Sequence, residues 1–513
     1  MKKTLILLLA AGLTVQGLHA QETYTDATIA SQDLNGTARY VGMGGAMDAL
    51  GADISTISSN PAGIGLFRSN TASLSLGGVS QPSGGDTKMS FDQIGLVWST
   101  RLADNSFVNL AFNYHKNANF NSKLNAGGAL SNSSLNKLTY IKGDAGYLFD
   151  NDGKEYITCT RLDELIADNV LLESDNVYRF KEATGYQYLR KQSGYVGTYD
   201  FNISGNLNNR LYLGLTIGVY DLHYNSTTSY SETLEANAMG LTSMDIVDER
   251  HISGVGADIK AGVIYRPIEG SPFRVGLSLA SPVFYDLDSE STLASPVFYD
   301  LNSYSQTSFG PKYVRSGYEY KVYTPWRVGL SVGHTIGTNV ALGAVYEFAD
   351  YSHIDNRIED WDYYDASSKD GDMNRHTRET LKGVSTLKLG AEIKLMPELA
   401  LRVGYNYVSP MFDKNAAKGV YKNGSLVESP GIFYSSTADY TNWLDTHRFT
   451  CGLGYTMKKL SLDVAYQHSL QNGEFHPFMN YYDDQAPDMN NTAALVNVKN
   501  KRNQLLFTIG YKF

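Results

Sequence analysis

The sequence predicts an all-β fold: a 14-stranded antiparallel transmembrane β-barrel with an N-terminal hatch, or plug, inside its lumen. Three observations predict it. After Ser69 the chain runs as strand-length segments with period-2 alternation of apolar and polar residues. The connections between them are alternately short and long, as in outer-membrane barrels with short periplasmic turns and long outer loops. Beyond residue 20, no stretch offers the ~20 apolar residues that a membrane helix needs.

Composition agrees. A chain of 513 residues suits several domains or one large barrel. Hydrophobic residues make up 42% and mean hydropathy is −0.28, which excludes a helical membrane protein. The 37 Tyr and 48 Gly suit twisted strands with interfacial aromatic rings. A net charge of −10 leaves no basic face for a nucleic acid.

The N-terminus reads as an export signal over residues 1–20. Lys2 and Lys3 are its charged region, Leu5 to Leu13 its apolar region, and Leu18-His19-Ala20 precedes a cut before Gln21. The processed chain would carry about −12, because two lysines and no acid leave with the signal. No cysteine follows closely, so a lipid-anchored N-terminus is not expected. The expected location is the outer membrane of a Gram-negative bacterium.

Residues 21–70 form the expected hatch. The stretch from Gly36 to Ser69 is rich in glycine and small residues and lacks strand alternation. Asn60 can cap a short helical turn with Pro61 at its first position, where a missing N–H costs nothing. Ala62 follows, and Gly63 and Gly65 let the backbone turn sharply. The result is a compact elbow, for which anchoring and gating are both open readings. Arg39 and Arg68 flank the hatch, and guanidinium suits a carboxylate. Lumen polar groups compete for them.

The NPAGIGLFR run at 60–68, preceded by MGGA at 43–46, resembles the hatch of FadL/TodX-type outer-membrane transporters of hydrophobic compounds. The resemblance is specific over 36–69 and architectural elsewhere. It implies passive uptake of hydrophobic small molecules, long-chain fatty acids first. The ligand would bind an apolar lumen pocket, and hatch movement would release it. Asn60, Pro61, Ala62, Gly63 and Gly65 become the gating residues. Arg39, Leu66, Phe67 and Arg68 become ligand contacts. It also implies that the elbow meets an irregular wall, a kink in the third strand, where ligand leaves sideways. The third segment here, Ser106–Lys116, has neither Gly nor Pro. Related sequences are often labelled haemin receptors, so haemin uptake is an alternative; a structural or adhesive barrel with a closed plug is another.

The wall, 71–513, is expected as segments near 71–80, 92–100, 106–115, 195–206, 210–221, 252–266, 272–281, 321–335, 339–350, 380–395, 398–408, 446–457, 459–469 and 503–513. In the fifth, Leu211, Leu213, Leu215, Ile217 and Val219 oppose Tyr212, Gly214, Thr216, Gly218 and Tyr220. In the tenth, Leu381, Leu387, Leu389, Ala391, Ile393 and Leu395 oppose Lys382, Lys388, Glu392 and Lys394. In the eleventh, Leu399, Leu401, Val403, Tyr405 and Tyr407 oppose Arg402 and Asn406. Apolar residues outward and polar inward is the pattern of a barrel in lipid; reversal costs ~2–4 kcal/mol for each midplane Lys or Arg.

Long loops are expected at 81–91, 116–194, 222–251, 282–320, 351–379, 409–445 and 470–502. Thr160 can cap a helix whose Leu162, Leu165, Ile166 and Val170 share a face. LASPVFYDL occurs at 279–287 and again at 293–301, a local duplication expected to lengthen one outer loop. The last strand, ending in Phe513, resembles the signal read by the barrel-assembly machinery.

No enzyme motif stands out: there is no G-x-S-x-G or H-E-x-x-H. Gly42-Met43-Gly44-Gly45 lacks the βαβ setting of a dinucleotide loop. Cys159 and Cys451 lack disulfide-framework or metal spacing and read as unpaired thiols. Of nine histidines after the signal, all but His334 fall at the expected outer side; His223 and His251 are the haem-ligand candidates, against a default of solvated loop histidines. The expected protein is a monomer without cofactor, in contact with outer-membrane lipid and a hydrophobic ligand, and with no nucleic acid.

Overall fold

The computed structural model describes residues 22–81, 87–144, 161–173, 175–237, 239–297, 314–359, 366–422, 425–428 and 437–513. The export signal, Thr160, Cys159 and the end of the second LASPVFYDL copy lie outside the described residues.

Fourteen antiparallel strands close into a ring: β1 (Thr71–Ser80), β2 (Lys88–Ala103), β3 (Ser106–Asn119), β4 (Ala183–Leu207), β5 (Leu211–Leu234), β6 (Ser243–Tyr265), β7 (Arg274–Ala280), β8 (Arg327–Ile336), β9 (Val340–Asp350), β10 (Gly383–Lys394), β11 (Leu399–Val408), β12 (Tyr440–Met457), β13 (Leu460–His476) and β14 (Val496–Lys512). Each pairs with the next, and β14 pairs with β1 from Thr71↔Lys512 to Ser80↔Asn503. Closure removes every sheet edge from the ring.

Alternation explains the faces. Leu213, Leu215, Ile217 and Val219 on β5, Leu387, Leu389 and Ile393 on β10, and Phe507, Ile509 and Tyr511 on β14 are all exposed. Between them Thr216, Lys388, Glu392, Arg402 and Thr508 are buried inside. An apolar belt around a polar interior is stable with hydrocarbon outside. Leu381 departs from the expected face. It precedes β10, bridges to Phe412 and is buried among the long-loop residues.

Several expected loops are strands. β4, β5 and β6 run 25, 24 and 23 residues, far beyond the belt. Above it the outward face of β5 becomes polar at Asn225, Thr227, Ser229 and Thr233, while the inward face stays buried. The loop expected at 222–251 is therefore mostly sheet. The region 116–194 holds a further strand, Ser122–Ser133, and the helix Leu135–Asp144. Residues Arg161–Ile166 are helical, and Leu162, Leu165, Ile166 and Val170 join one large apolar cluster at this end.

The seventh and eighth strands are interrupted. β7 stops at Ala280 and a strand resumes at Phe284–Val297; before β8, the strand Val314–Tyr323 stops at the same height. Pro282 and Pro325 sit at the two breaks and lack the N–H a ladder needs. Side chains replace the lost bonds: Ile259 N–H donates to Ser281 Oγ at 3.0 Å, and Val283 N–H to Thr324 Oγ1 at 2.8 Å. The segment expected as one strand over 321–335 is thus two. The first LASPVFYDL copy lies in the wall, with Tyr285 and Leu287 buried and Phe284 outward, rather than in a loop.

Residues 22–70 pack against inward wall residues. Helix α1 (Thr23–Ala30) lies at the long-loop end, and α2 (Ala38–Gly42) packs on β12 and β13. The chain then runs through two 3-10 turns, Ile54–Ile57 and Pro61–Leu66, to β1.

Candidate functional site: the Asn60–Leu66 elbow and the wall behind it

The N-terminal segment fits the wall because the wall gives up side chains to it. Gly333, Gly343, Gly390 and Gly404 are cross-strand partners in an unbroken row over β8, β9, β10 and β11. A Cβ on Gly343 would strike the Ala46 carbonyl, on Gly390 the Met43 carbonyl, and on Gly404 the Gly44 amide. Opposite them Gly44 takes φ +64°, a left-handed conformation that suits glycine.

A second row crosses β4 to β7: Ser204, Gly214, Gly262 and Ser278, again paired in register. Here the elbow sits. Asn60 is fully buried, caps the turn by accepting from Ala62 N–H at 3.2 Å, and places Pro61 at the first helical position. A Cβ on Gly214 would fall on the Pro61 backbone, and one on Gly262 on Asn60 Oδ1. Gly65 approaches the Gly205 carbonyl. Asn109 Nδ2 donates to the Ile64 carbonyl at 2.6 Å, and Thr216 Oγ1 to the Ile57 carbonyl at 3.0 Å. On the opposite, lipid side of these four strands Ile203, Leu213, Leu215, Val263, Leu277 and Leu279 frame an apolar groove whose floor is the same row of small residues. Between groove and elbow lies a single layer of backbone.

Arg39 is bidentate to Glu392 of β10, at 2.9 and 3.0 Å, and donates to the Ala52 carbonyl. Burial works against its charge, and Glu392 more than restores it, holding the guanidinium above its usual range. Glu392 is shared with Arg402, which also binds Asp463 at 2.6 Å. The carboxylate that Arg39 meets is the wall's own. Phe67 packs near the small Ile54–Ile64 cluster and Leu66 beside Tyr212. Arg68 turns to the short-turn end, where its Nη2 donates to Asn209 at 2.6 Å. The elbow and Arg68 meet at β3–β7; Arg39 lies elsewhere, against β10.

The expected kink in the third strand is replaced. β3 has one register shift, between Lys116 and Ala118, away from the elbow. The proline interruptions of the wall lie instead at β7 and β8, just beyond the groove.

The lumen cavity also differs from expectation. It holds about 340 Å³ and is not an apolar pocket. Arg190, Arg250, Arg327, Lys388, Arg448 and Arg502 line it together with Glu22, Asp33, Glu347 and Asp439. Its apolar lining includes Tyr24, stacked at 5.0 Å on Phe412 with Tyr440 alongside, and Phe120, Met411 and Trp443. Helix α1 is fixed there by Glu22, which pairs with Lys418 at 2.9 Å and Arg250 at 3.2 Å. Sequence reading missed these partners because they lie on residues far apart in the chain.

His223 and His251 occupy outward positions on β5 and β6, beside Asp221 and Asn225, and do not face the lumen. Cys451 is a free, exposed thiol on the lipid face of β12.

No family model and no curated protein matches the sequence. Solved structures resemble the fold. A Pseudomonas aeruginosa FadL homologue aligns over 94% of this chain and 99% of its own, at 13% identity and a TM-score of 0.52. The Ralstonia pickettii toluene transporter TbuX aligns over 94% and 99%, at 11% identity and 0.48. The Pseudomonas putida toluene transporter TodX aligns over 94% and 98%, at 11% and 0.45. The likeness to the FadL homologue is one of fold.

Proposed function

We propose that this barrel is an outer-membrane channel for passive uptake of hydrophobic small molecules, and that residues 22–70 are its hatch. The observation that carries this reading is the single backbone layer at Gly214 and Gly262. The capped Asn60-Pro61-Ala62 elbow presses on it from inside, and an apolar groove meets it from the membrane. The FadL-like fold supports the same reading. Short turns then face the periplasm and long loops the exterior.

A ligand descending from the cavity leaves sideways through β5–β7, when the elbow withdraws and the interrupted strands yield. The gating residues are Asn60, Pro61, Ala62, Gly63 and Gly65. Long-chain fatty acids and similar amphiphiles are the proposed substrates, because the cavity joins aromatic rings with charged groups. Apolar burial contributes ~25 cal/mol per Å² to capture. Arg39 is assigned to holding the hatch, not the ligand. Haemin is the weaker reading, since His223 and His251 project outward.

A second reading, a permanently closed structural barrel, draws on the buried ion pairs of Glu22 and Arg39 that tie the segment to the wall. Uptake of labelled oleate decides between them, in cells lacking their own fatty-acid channel. Wild type should restore uptake and Asn60→Ala/Pro61→Ala should lose most of it at equal surface expression. No uptake by the folded wild type would reject the channel reading for this substrate class.

A further inference from the structure

Three arginines meet at the short-turn mouth, directly below the elbow, and none is neutralised. Arg68 ends the elbow, Arg266 follows β6 and Arg274 opens β7. Arg68 and Arg266 share one residue: Arg68 Nη2 donates to Asn209 Oδ1 at 2.6 Å and Arg266 Nη1 to the Asn209 carbonyl at 3.1 Å. Both lie within electrostatic reach of Arg274. Every acceptor they hold is neutral. Arg68 Nη1 uses the carbonyls of Gly65 and Phe67, Arg266 uses that of Ser271, and Arg274 Nη1 uses that of Leu50 at 2.7 Å. Among the described residues none of the three pairs with a carboxylate, whereas the lumen arginines Arg39, Arg190, Arg250, Arg402 and Arg502 all do. Arg274 Nε is buried and has no hydrogen-bond partner.

Three like charges gathered without a counter-charge repel one another and raise the local potential. Guanidinium forks suit carboxylate or phosphate oxygens, and an unfilled buried donor is costly. The cluster lies inside the wall: Arg274 takes the inward parity of β7, opposite to lipid-facing Leu277, and its Nη1 meets the Leu50 carbonyl of the N-terminal segment.

We propose that Arg68, Arg266 and Arg274 form an anion site at the short-turn mouth, on the lumen side of the wall, that takes the acidic head of an amphiphile. The head is a carboxylate or a phosphate. Its source is either an amphiphile in passage or a resident anionic phospholipid. The site stands on its own geometry and is read by binding, so it can fail while uptake persists, or hold while uptake fails.

The test uses the full-length barrel purified in neutral detergent, with folding checked by heat-modifiable gel mobility. The variants are Arg68→Gln/Arg266→Gln/Arg274→Gln and the charge-keeping triple Lys variant. Laurate and dodecanol, alike in tail and different in head charge, are titrated in parallel. Native mass spectrometry after mixing with phosphatidylglycerol or phosphatidylcholine forms the second arm. If the source is an amphiphile in passage, wild type should prefer laurate by about tenfold, the ratio one charge-assisted hydrogen bond supplies. The Gln variant should lose that preference and the Lys variant keep most of it. If the source is a resident lipid, phosphatidylglycerol should stay on wild type and leave the Gln variant. Unchanged laurate preference together with unchanged lipid retention in a folded Gln variant would overturn the site.

Discussion

At the scale of single residues, the interior is an exchange of charge for position. Arg39 and Glu392 are 353 residues apart, yet two hydrogen bonds fix α2 to β10. Glu22 does the same for α1 at the other end of the lumen, paired with Lys418 and Arg250. Burial alone would raise the Glu22 carboxyl, but the two cations outweigh it and pull it down to about 2. A carboxyl lowered on folding stabilises the fold fully above its unfolded value, near 4.5, and loses that contribution as pH falls toward 2. The anchoring of α1 should therefore weaken by roughly 3 kcal/mol over that window. Limited proteolysis within 22–31 should speed up between pH 4.5 and pH 2, with an acid-active protease, in wild type. Glu22→Gln should cut quickly throughout. A flat wild-type profile would show that this pair does not hold the helix.

At the scale of elements, the wall shows what a sequence carries and what it does not. Fourteen segments were legible because each membrane crossing must alternate, and Leu213 through Val219 leave no other face to choose. The extensions of β4, β5 and β6 were not legible, because outside lipid the outward face of β5 turns polar from Asn225 while its inward face mixes Tyr224, Tyr230 and Leu234 with Ser226, Thr228 and Glu232. The proline breaks were hidden differently. Pro325 lies inside a segment that alternates well, and only the three-dimensional register shows Pro282 beside it. The elbow itself was readable from Asn60 and Pro61. Its seat was not, since Gly214 reads as an ordinary lumen position. Nor was the polarity of the cavity, which depends on which of many charges converge. The breaks have a mechanical consequence, because side-chain bonds from Ser281 and Thr324 replace a backbone ladder. Pro282→Val with Pro325→Val restores two donors. Amide exchange at 281–283 and 324–326 should slow by about tenfold for each ~1.4 kcal/mol gained, and oleate uptake should fall. Faster exchange would show that the prolines brace the wall.

At the scale of the whole molecule, the proposed path runs through cavity, elbow, backbone layer and groove to the membrane. At the small-residue row of β4–β7 an apolar groove outside meets the elbow across one layer of backbone. The proposed ligand crosses there. Ala261 lies outward in the groove, and Cys451 lies outward on β12 away from it. The direct measurement compares two single-thiol proteins, each treated with a bulky apolar maleimide and assayed for oleate uptake. One carries Ala261→Cys with Cys159→Ser and Cys451→Ser; the other keeps only Cys451. Labelling at 261 should cut uptake several-fold, while labelling at 451 should leave it unchanged. Full labelling at 261 with undiminished uptake would contradict this path.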